Sequence, residues 1–272
     1  MLFSRSSIRL RGHVSPPHPV LLIFMAVLAG AQQPSSPATA PPPAPDTNAE
    51  LTHAIQLYEK RDFASALPLF RQVADSGNLE AIRYLGVMFG SGQGVATDYQ
   101  EALKWFRKAA YAGDGQAMCN IGSLYFKGMG GPPDYREALI WFQQSGKAGN
   151  SQGAYNLGVM YRDGLGVAVD YQKALLYFRK AADQGENLAM NSLGVMYQQG
   201  QGVMADFQEA LKWFRAAADQ GNASAMYNLG LLYEQGKGVP ADRNEAIGWY
   251  RKAADVGNLD ADRSLQRLSE PK

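Results

Sequence analysis

The apolar positions of the chain fall into two alternating patterns, each with the spacing of one helix face. In "AMYNLGLLYEQG", Ala225, Leu229 and Tyr233 stand at i, i+4 and i+8. In the preceding segment Ala210, Trp213, Phe214 and Ala217 stand at i, i+3, i+4 and i+7, again one face. The two patterns recur in order. Leu85, Ile121, Leu157, Leu193, Leu229 and Leu265 are spaced by 36 residues without a slip. The next residue is glycine in five cases (Gly86, Gly122, Gly158, Gly194, Gly230), and Phe89, Tyr125, Tyr161, Tyr197 and Tyr233 follow three residues later. A glycine loop then leads into the second pattern each time: "GSGQGVATD", "FKGMGGPPD", "RDGLGVAVD", "QQGQGVMAD", "EQGKGVPAD". Self-similarity at one fixed period predicts stacked helix pairs, an all-α fold of the α/α solenoid class.

The helix ends carry their own signals. Asp98, Asp134, Asp206 and Asp242 are each followed three residues later by glutamate (Glu101, Glu137, Glu209, Glu245), the arrangement of a capping box. The Asp170 copy has Lys173 instead. Gly113, Gly149, Gly185, Gly221 and Gly257 sit where the second helix should stop in a left-handed cap. The glycines inside the first helix, from Gly86 onward, cost about 1 kcal/mol each against alanine. Their recurrence predicts close helix approach, with Trp105, Trp141, Trp213 and Trp249 as the expected bulky partners. The aromatic set therefore reads as core rather than as a stacking platform.

These residues resemble the Sel-1-like repeat (SLR) family, relatives of the tetratricopeptide repeat with a longer loop between the helices. The matching positions are the A-x-x-x-L-G-x-x-Y of "AMYNLGLLY", the G-x-G-V of the loop and the D-Y-x-x-A-x-x-W-F-x-x-A-A of the second helix, over roughly residues 49–268. The resemblance implies a right-handed superhelix of stacked antiparallel helix pairs with a concave face. Both ends depart from the pattern as terminal units should. "AIQLYEKRDFASALPLFRQVADSG" has four steps from Tyr58 to Asp62 where the other copies have nine, a tetratricopeptide-like first unit. "ADRSLQRLSE" replaces the glycine by Gln266 and adds charge, as a solvent-facing capping helix would. The expected organisation is a first helix pair over 49–80, five repeats over 81–260 and a capping helix and tail over 261–272.

The N-terminus is of a different composition. Arg5, Arg9 and Arg11 precede the apolar run "VLLIFMAVLAGA", which ends in Ala29-Gly30-Ala31. This reads as a secretory signal over 1–31 cleaved after Ala31, since the run falls short of the ~20 residues that span a bilayer. An uncleaved membrane anchor is the alternative. "QQPSSPATAPPPAPD", with six prolines, opens an expected disordered linker over 32–48. Three of the 26 basic residues leave with the signal, so 23 remain against 25 acidic ones. That net charge of −2 offers no nucleic-acid footprint. The protein is expected to be exported, periplasmic or secreted, with no stable transmembrane segment after cleavage, and monomeric. Cys119 is the only cysteine, so no intramolecular disulfide can form.

Catalytic chemistry finds little to build on. The glycine loop lacks the Lys-[Ser/Thr] of a phosphate loop and follows a helix rather than a strand. Each loop supplies one carboxylate, whereas calcium takes six to eight oxygens. His13 and His18 lie in the signal segment, leaving His53, which is 66 residues from Cys119. No enzyme, metal site or cofactor is expected. The competing class is a cell-wall or β-lactam-binding, weakly hydrolytic protein like a cysteine-rich secreted branch of the resembled family. That branch pairs cysteines within each repeat, and this chain does not. Its Ser-x-x-Lys is the last four residues, "SEPK".

A protein or peptide partner is expected instead, recognised where the repeats differ. Two residues before the key leucine stand Arg83, Cys119, Tyr155, Asn191 and Tyr227. One residue before it stand Tyr84, Asn120, Asn156, Ser192 and Asn228. With the Ala/Leu/Tyr face turned inward to the core, both slots should face the groove. The resemblance implies that Asn120, Asn156 and Asn228 could hydrogen-bond an extended peptide backbone, as asparagines in that slot do in tetratricopeptide relatives. The alternative is that they satisfy backbone within the stack. The candidate groove set is Arg83, Tyr84, Asn120, Tyr155, Asn156, Asn191, Tyr227 and Asn228, with Tyr155 and Tyr227 as the expected anchors.

Overall fold

A computed structural model describes residues 47–269, which form thirteen α-helices and, among the described residues, no strand. The signal reading, most of the linker reading and the last three residues lie outside the described residues. Helix α1 (Thr47–Glu59) begins within the stretch read as linker. It pairs with α2 (Phe63–Asp75) around a tight turn in which Arg61 adopts φ 63°. Five helix pairs follow: α3 (Leu79–Ser91) with α4 (Tyr99–Tyr111), α5 (Gly115–Lys127) with α6 (Tyr135–Lys147), and α7 (Ser151–Asp163) with α8 (Tyr171–Ala182). Then come α9 (Asn187–Gln199) with α10 (Phe207–Asp219) and α11 (Ala223–Gln235) with α12 (Arg243–Asp255), and α13 (Leu259–Ser269) closes the stack. Each helix packs on its neighbours in sequence, the arrangement of an α/α solenoid. No helix among the described residues is long and apolar enough to cross a membrane.

The periodic residues build the core. Leu85, Ile121, Leu157, Leu193 and Leu229 are buried, as are Ala102, Ala138, Ala174, Ala210 and Ala246 from the facing second helices. Each mid-helix glycine meets an aromatic ring, but not the expected tryptophan. A Cβ at Gly86 would come within 2.5 Å of Phe106, and at Gly158 within 2.5 Å of Phe178. Gly122, Gly194 and Gly230 face Phe142, Phe214 and Tyr250 in the same way. The tryptophan precedes that ring by one residue, hence about 100° around the helix. It packs at the border between units, where Arg179 lies 5.0 Å over the Trp213 ring.

The capping box is half made. Each aspartate accepts from the first-turn amides, as Asp98 does from Gln100 and Glu101. Its own N–H, however, donates back across the loop: Asp98 to Phe89 O at 2.9 Å, Asp134 to Tyr125 O at 2.9 Å, Asp170 to Tyr161 O at 2.8 Å. The glutamate is therefore not needed for the reciprocal bond, which explains how Lys173 replaces it without loss of the cap. Glu101 and Glu209 pair instead with Lys104 and Lys212 on the same helix face.

The loops bind one unit to the next. Gly166 at φ 71° brings its backbone against Tyr135 at the start of the preceding second helix, leaving 2.7 Å for a Cβ. Gly94, Gly202 and Gly238 make the same approach to Phe63, Tyr171 and Phe207. At the far end α13 is locked by Arg267, which grips Glu234 with bonds of 2.6 and 2.8 Å, while Tyr250 donates to the same carboxylate at 2.7 Å.

Candidate functional site

The first helices line one side of the stack, where α5 meets α7, α7 meets α9 and α9 meets α11. The candidate groove residues lie on these first helices, and the structure gives them unequal surroundings. Asn156 donates to Cys119 Sγ at 3.6 Å, and Asn228 donates to Asn191 Oδ1 at 3.1 Å. Both asparagines thus spend one N–H on the preceding first helix. Ser192, at the slot where the asparagine series breaks, turns its hydroxyl back to Leu188 O at 2.9 Å. Asn120 accepts from Gln116 of its own helix at 3.3 Å.

The tyrosines are half core. Tyr155 rests on Phe178 and Tyr227 on Tyr250, with ring centroids 5.7 and 5.6 Å apart. Burial raises the Tyr155 hydroxyl above its ordinary value. Tyr84 stacks on Phe70 at 4.6 Å and meets Tyr58 edge-on at 4.9 Å, so it faces the first unit. Burial raises its pKa too, with Glu80 adding to the shift. Arg83 reaches across to Asp114 at 3.5 Å.

Arg83, Tyr84 and Asn120 are brought together on one cleft of about 330 Å³ between α3 and α5, lined also by Glu80, Val87 and Gln116. A second hollow of about 220 Å³ neighbours it, where Phe106, Ser123, Leu124 and Lys127 join Val87 and Asn120. Tyr155 and Asn156, and Asn191, Tyr227 and Asn228, are spread along the remaining inner side.

An amide cluster one turn earlier on these helices escaped the sequence reading. Gln116 Nε2 donates to Gln152 Oε1 at 3.3 Å and Gln116 Oε1 accepts from Asn150 at 2.9 Å, stitching α5 to α7. The signal was available, because Gln116 and Gln152 stand 36 residues apart in one slot.

Reactive groups are sparse here. The Cys119 thiol is 1% exposed, and burial pushes it up to about 11, so it stays neutral at physiological pH. Its hydrogen-bond partners are amides, Asn156 and Gln152, neither of which is a base. His53 is exposed on α1, in the first unit. No group of three or more metal-ligating side chains occurs among the described residues.

The repeats match a known family. The family model described as Sel1 repeat fits residues 79–114, 115–150, 151–186, 187–222 and 223–258. Among solved structures, a Sel1 repeat protein from Oxalobacter formigenes is 28% identical with a TM-score of 0.73, covering 81% of this chain and 88% of that one. A protective antigen present in uropathogenic Escherichia coli strains, displaying an SLR fold, is 31% identical with a TM-score of 0.68 over 82% of this chain, which spans 49% of that protein. An immunity protein from Pseudomonas aeruginosa shares the fold at 21% identity, with a TM-score of 0.53 over 82% of this chain and 85% of that one. Among curated proteins no match was found. Five consecutive in-register repeats, on a chain whose helix pairs stack as in these structures, place it plainly: the protein belongs to the Sel1 repeat family.

Proposed function

We propose that this protein is an exported, non-enzymatic scaffold that binds a protein or peptide partner along the inner side of its solenoid. A Sel1 repeat scaffold is typical of protein–protein interaction. The observation that carries the finer reading is the contrast along the first helices. Their core-facing leucine and glycine are nearly constant from repeat to repeat. The two slots beside them change from Arg83 and Tyr84 to Cys119 and Asn120 to Tyr155 and Asn156. A surface that only held the stack together would repeat. The asparagines keep donors and acceptors beyond the single bond each makes in the stack, since an amide offers two of each. Export rests on the basic, apolar and small-residue order of the first 31 residues.

Capture of the native partner from envelope extracts by chemical crosslinking tests the face. Asn156→Arg with Asn228→Arg, which adds bulk on the inner side without removing core, is expected to abolish capture. Ile140→Arg with Leu176→Arg, exposed on the second helices, should leave it intact. The reverse pattern would overturn the inner-face reading. N-terminal sequencing of the native protein is expected to begin at Gln32, and a start at Met1 would refute signal cleavage.

A further inference from the structure

Two neighbouring hollows lie between α3 and α5. They share Val87 and Asn120 on their walls, and together they form a cleft lined from Glu80 and Gln116 at one end to Ser91 and Lys127 at the other. Gln116 is the counterpart of Glu80 one repeat on, and Lys127 lies eleven residues beyond it. At 1.5 Å per helical residue the cleft is therefore about 16 Å long, which an extended chain covers in about five residues.

Its floor is apolar, formed by Val87, Phe106 and Leu124, and its two ends differ in charge. At the α3 N-terminal end Glu80 lines the cleft beside Arg83, whose charge Asp114 of α5 already engages at 3.5 Å, and Glu80 and Glu59 of α1 both act on the Tyr84 hydroxyl. That end carries a surplus of carboxylate. At the other end Lys127 is exposed and makes no ion pair among the described residues. Asn120, midway, offers an amide to a passing backbone.

We infer that this cleft binds an extended partner segment with a basic side chain at one end, an apolar one in the middle and an acidic one at the other. Side chains at i, i+2 and i+4 of an extended chain share a face and span about 13 Å, which matches the cleft. The basic group meets Glu80, the apolar one enters over Val87 and Leu124, and the acidic one meets Lys127. The inference rests on the inner-face reading and narrows it to one junction and one pattern of charge.

The test uses three fluorescein-labelled peptides: Gly-Lys-Thr-Leu-Thr-Glu-Gly and its two same-sign relatives, with lysine or with glutamate at both charged positions. Anisotropy titrations of the full chain should show the mixed peptide binding about fivefold tighter than either relative, the scale of one exposed ion pair. Lys127→Glu is expected to move the preference to the double-lysine peptide, and Glu80→Lys to the double-glutamate peptide. Both positions lie at the cleft rim, so an unfolded variant would be recognised by its melting curve and replaced by Lys127→Gln or Glu80→Gln, which should erase the preference. A preference that ignores these changes overturns the inference. So does binding whose NMR shift changes map to Tyr155 and Tyr227, an outcome that leaves the inner-face reading standing. Absence of binding by all three at about 1 mM, a free energy near the floor of specific recognition, also overturns it. The capture experiment with Asn156→Arg and Asn228→Arg then decides the inner-face reading separately.

Discussion

Two neighbouring junctions on the same inner side are built to opposite ends. Between α5 and α7 side-chain amides stitch the helices together, while between α3 and α5 a cleft opens. The cap residues of the two incoming helices differ in what they can add. Asn150 caps α7 and still has an amide to donate, which it gives to Gln116 of α5; Asn222 does the same to Asn187 at the α9–α11 junction. Asp114 caps α5 equally well, but a carboxylate only accepts. It cannot donate to a carbonyl on α3, and instead draws in the long side chain of Arg83. Bulk follows the same division. The α5–α7 side carries Gly115, Ser145, Gly146 and Gly153, whereas α3 presents Glu80, Arg83, Tyr84 and Val87 to its gap.

The closed junction should be the easier to break. Other junctions pair two alanines where this one has Ser145 against Gly153, for example Ala109 with Ala117 and Ala181 with Ala189. Ser145, fully buried, donates to Gly115 O at 2.7 Å, and a Cβ at Gly153 would sit 2.3 Å from its hydroxyl oxygen. Gly153→Ala gains about 1 kcal/mol of helix propensity. Overpacking a buried contact costs about 3 kcal/mol, so the net loss should be clear in urea denaturation. Adding Ser145→Ala should recover most of it, and a double-mutant cycle without such coupling would dissolve the paired-exchange account.

An effect of similar size is a pH dependence lodged in the same junction. The Cys119 thiol is raised from 9.0 to about 11 by burial, with amide hydrogen bonds opposing. Because the folded value lies above the unfolded one, the neutral thiol's contribution is fully present below pH 9 and is lost as pH climbs to about 11. The loss should amount to about 2–3 kcal/mol. Burial raises Tyr155 as well, so an alkaline slope will survive in Cys119→Ala. The informative quantity is the stability difference between wild type and Cys119→Ala, measured at pH 8 and pH 11. It should shrink by the amount stated, and a constant difference would mean that water reaches the thiol.

The sequence made the frame legible because the frame repeats. A leucine, a glycine and an aromatic residue recurring every 36 positions could only be stacked helix pairs, and the left-handed glycines at the helix ends sit where the pattern put them. Finer contacts were not legible. Periodicity could not separate Trp105 from Phe106 as the ring beneath Gly86, since adjacent residues differ only in direction around the helix. Nor could it show that the aspartate N–H would be taken by the loop, because Phe89 and Asp98 meet only once the loop is folded. The α3–α5 cleft was the least visible feature. It is lined by Glu80, Arg83, Tyr84 and Lys127, whose differences from the other repeats a self-alignment scores as ordinary variation.

The smallest predicted effect asks whether the open region is merely underpacked. Four of the five repeat loops place a valine after their second glycine (Val95, Val167, Val203, Val239), and Val167 and Val239 pack against the core. The second loop has Gly131 there, and a hollow of about 350 Å³ lies behind it, walled by Leu103, Arg107, Leu124 and Tyr125. A Cβ at Gly131 would meet nothing within 4 Å, and its φ lies outside the left-handed region. The following Pro132 favours an extended backbone, which a β-branched residue adopts readily. Gly131→Val should therefore stabilise the chain by about 1 kcal/mol, from partial burial of three carbons and a stiffer unfolded chain. It would be read as a higher urea midpoint at unchanged slope. This hollow shares Leu124 and Met129 with the cleft between α3 and α5. If the two spaces are separate, the added valine raises stability and leaves the mixed-charge peptide bound as before. That is the expected result, because Gly131 lines neither hollow of the cleft. Weaker peptide binding in a more stable Gly131→Val protein would mean instead that Leu124 couples the two spaces, and that the cleft opens only because the loop behind it is hollow.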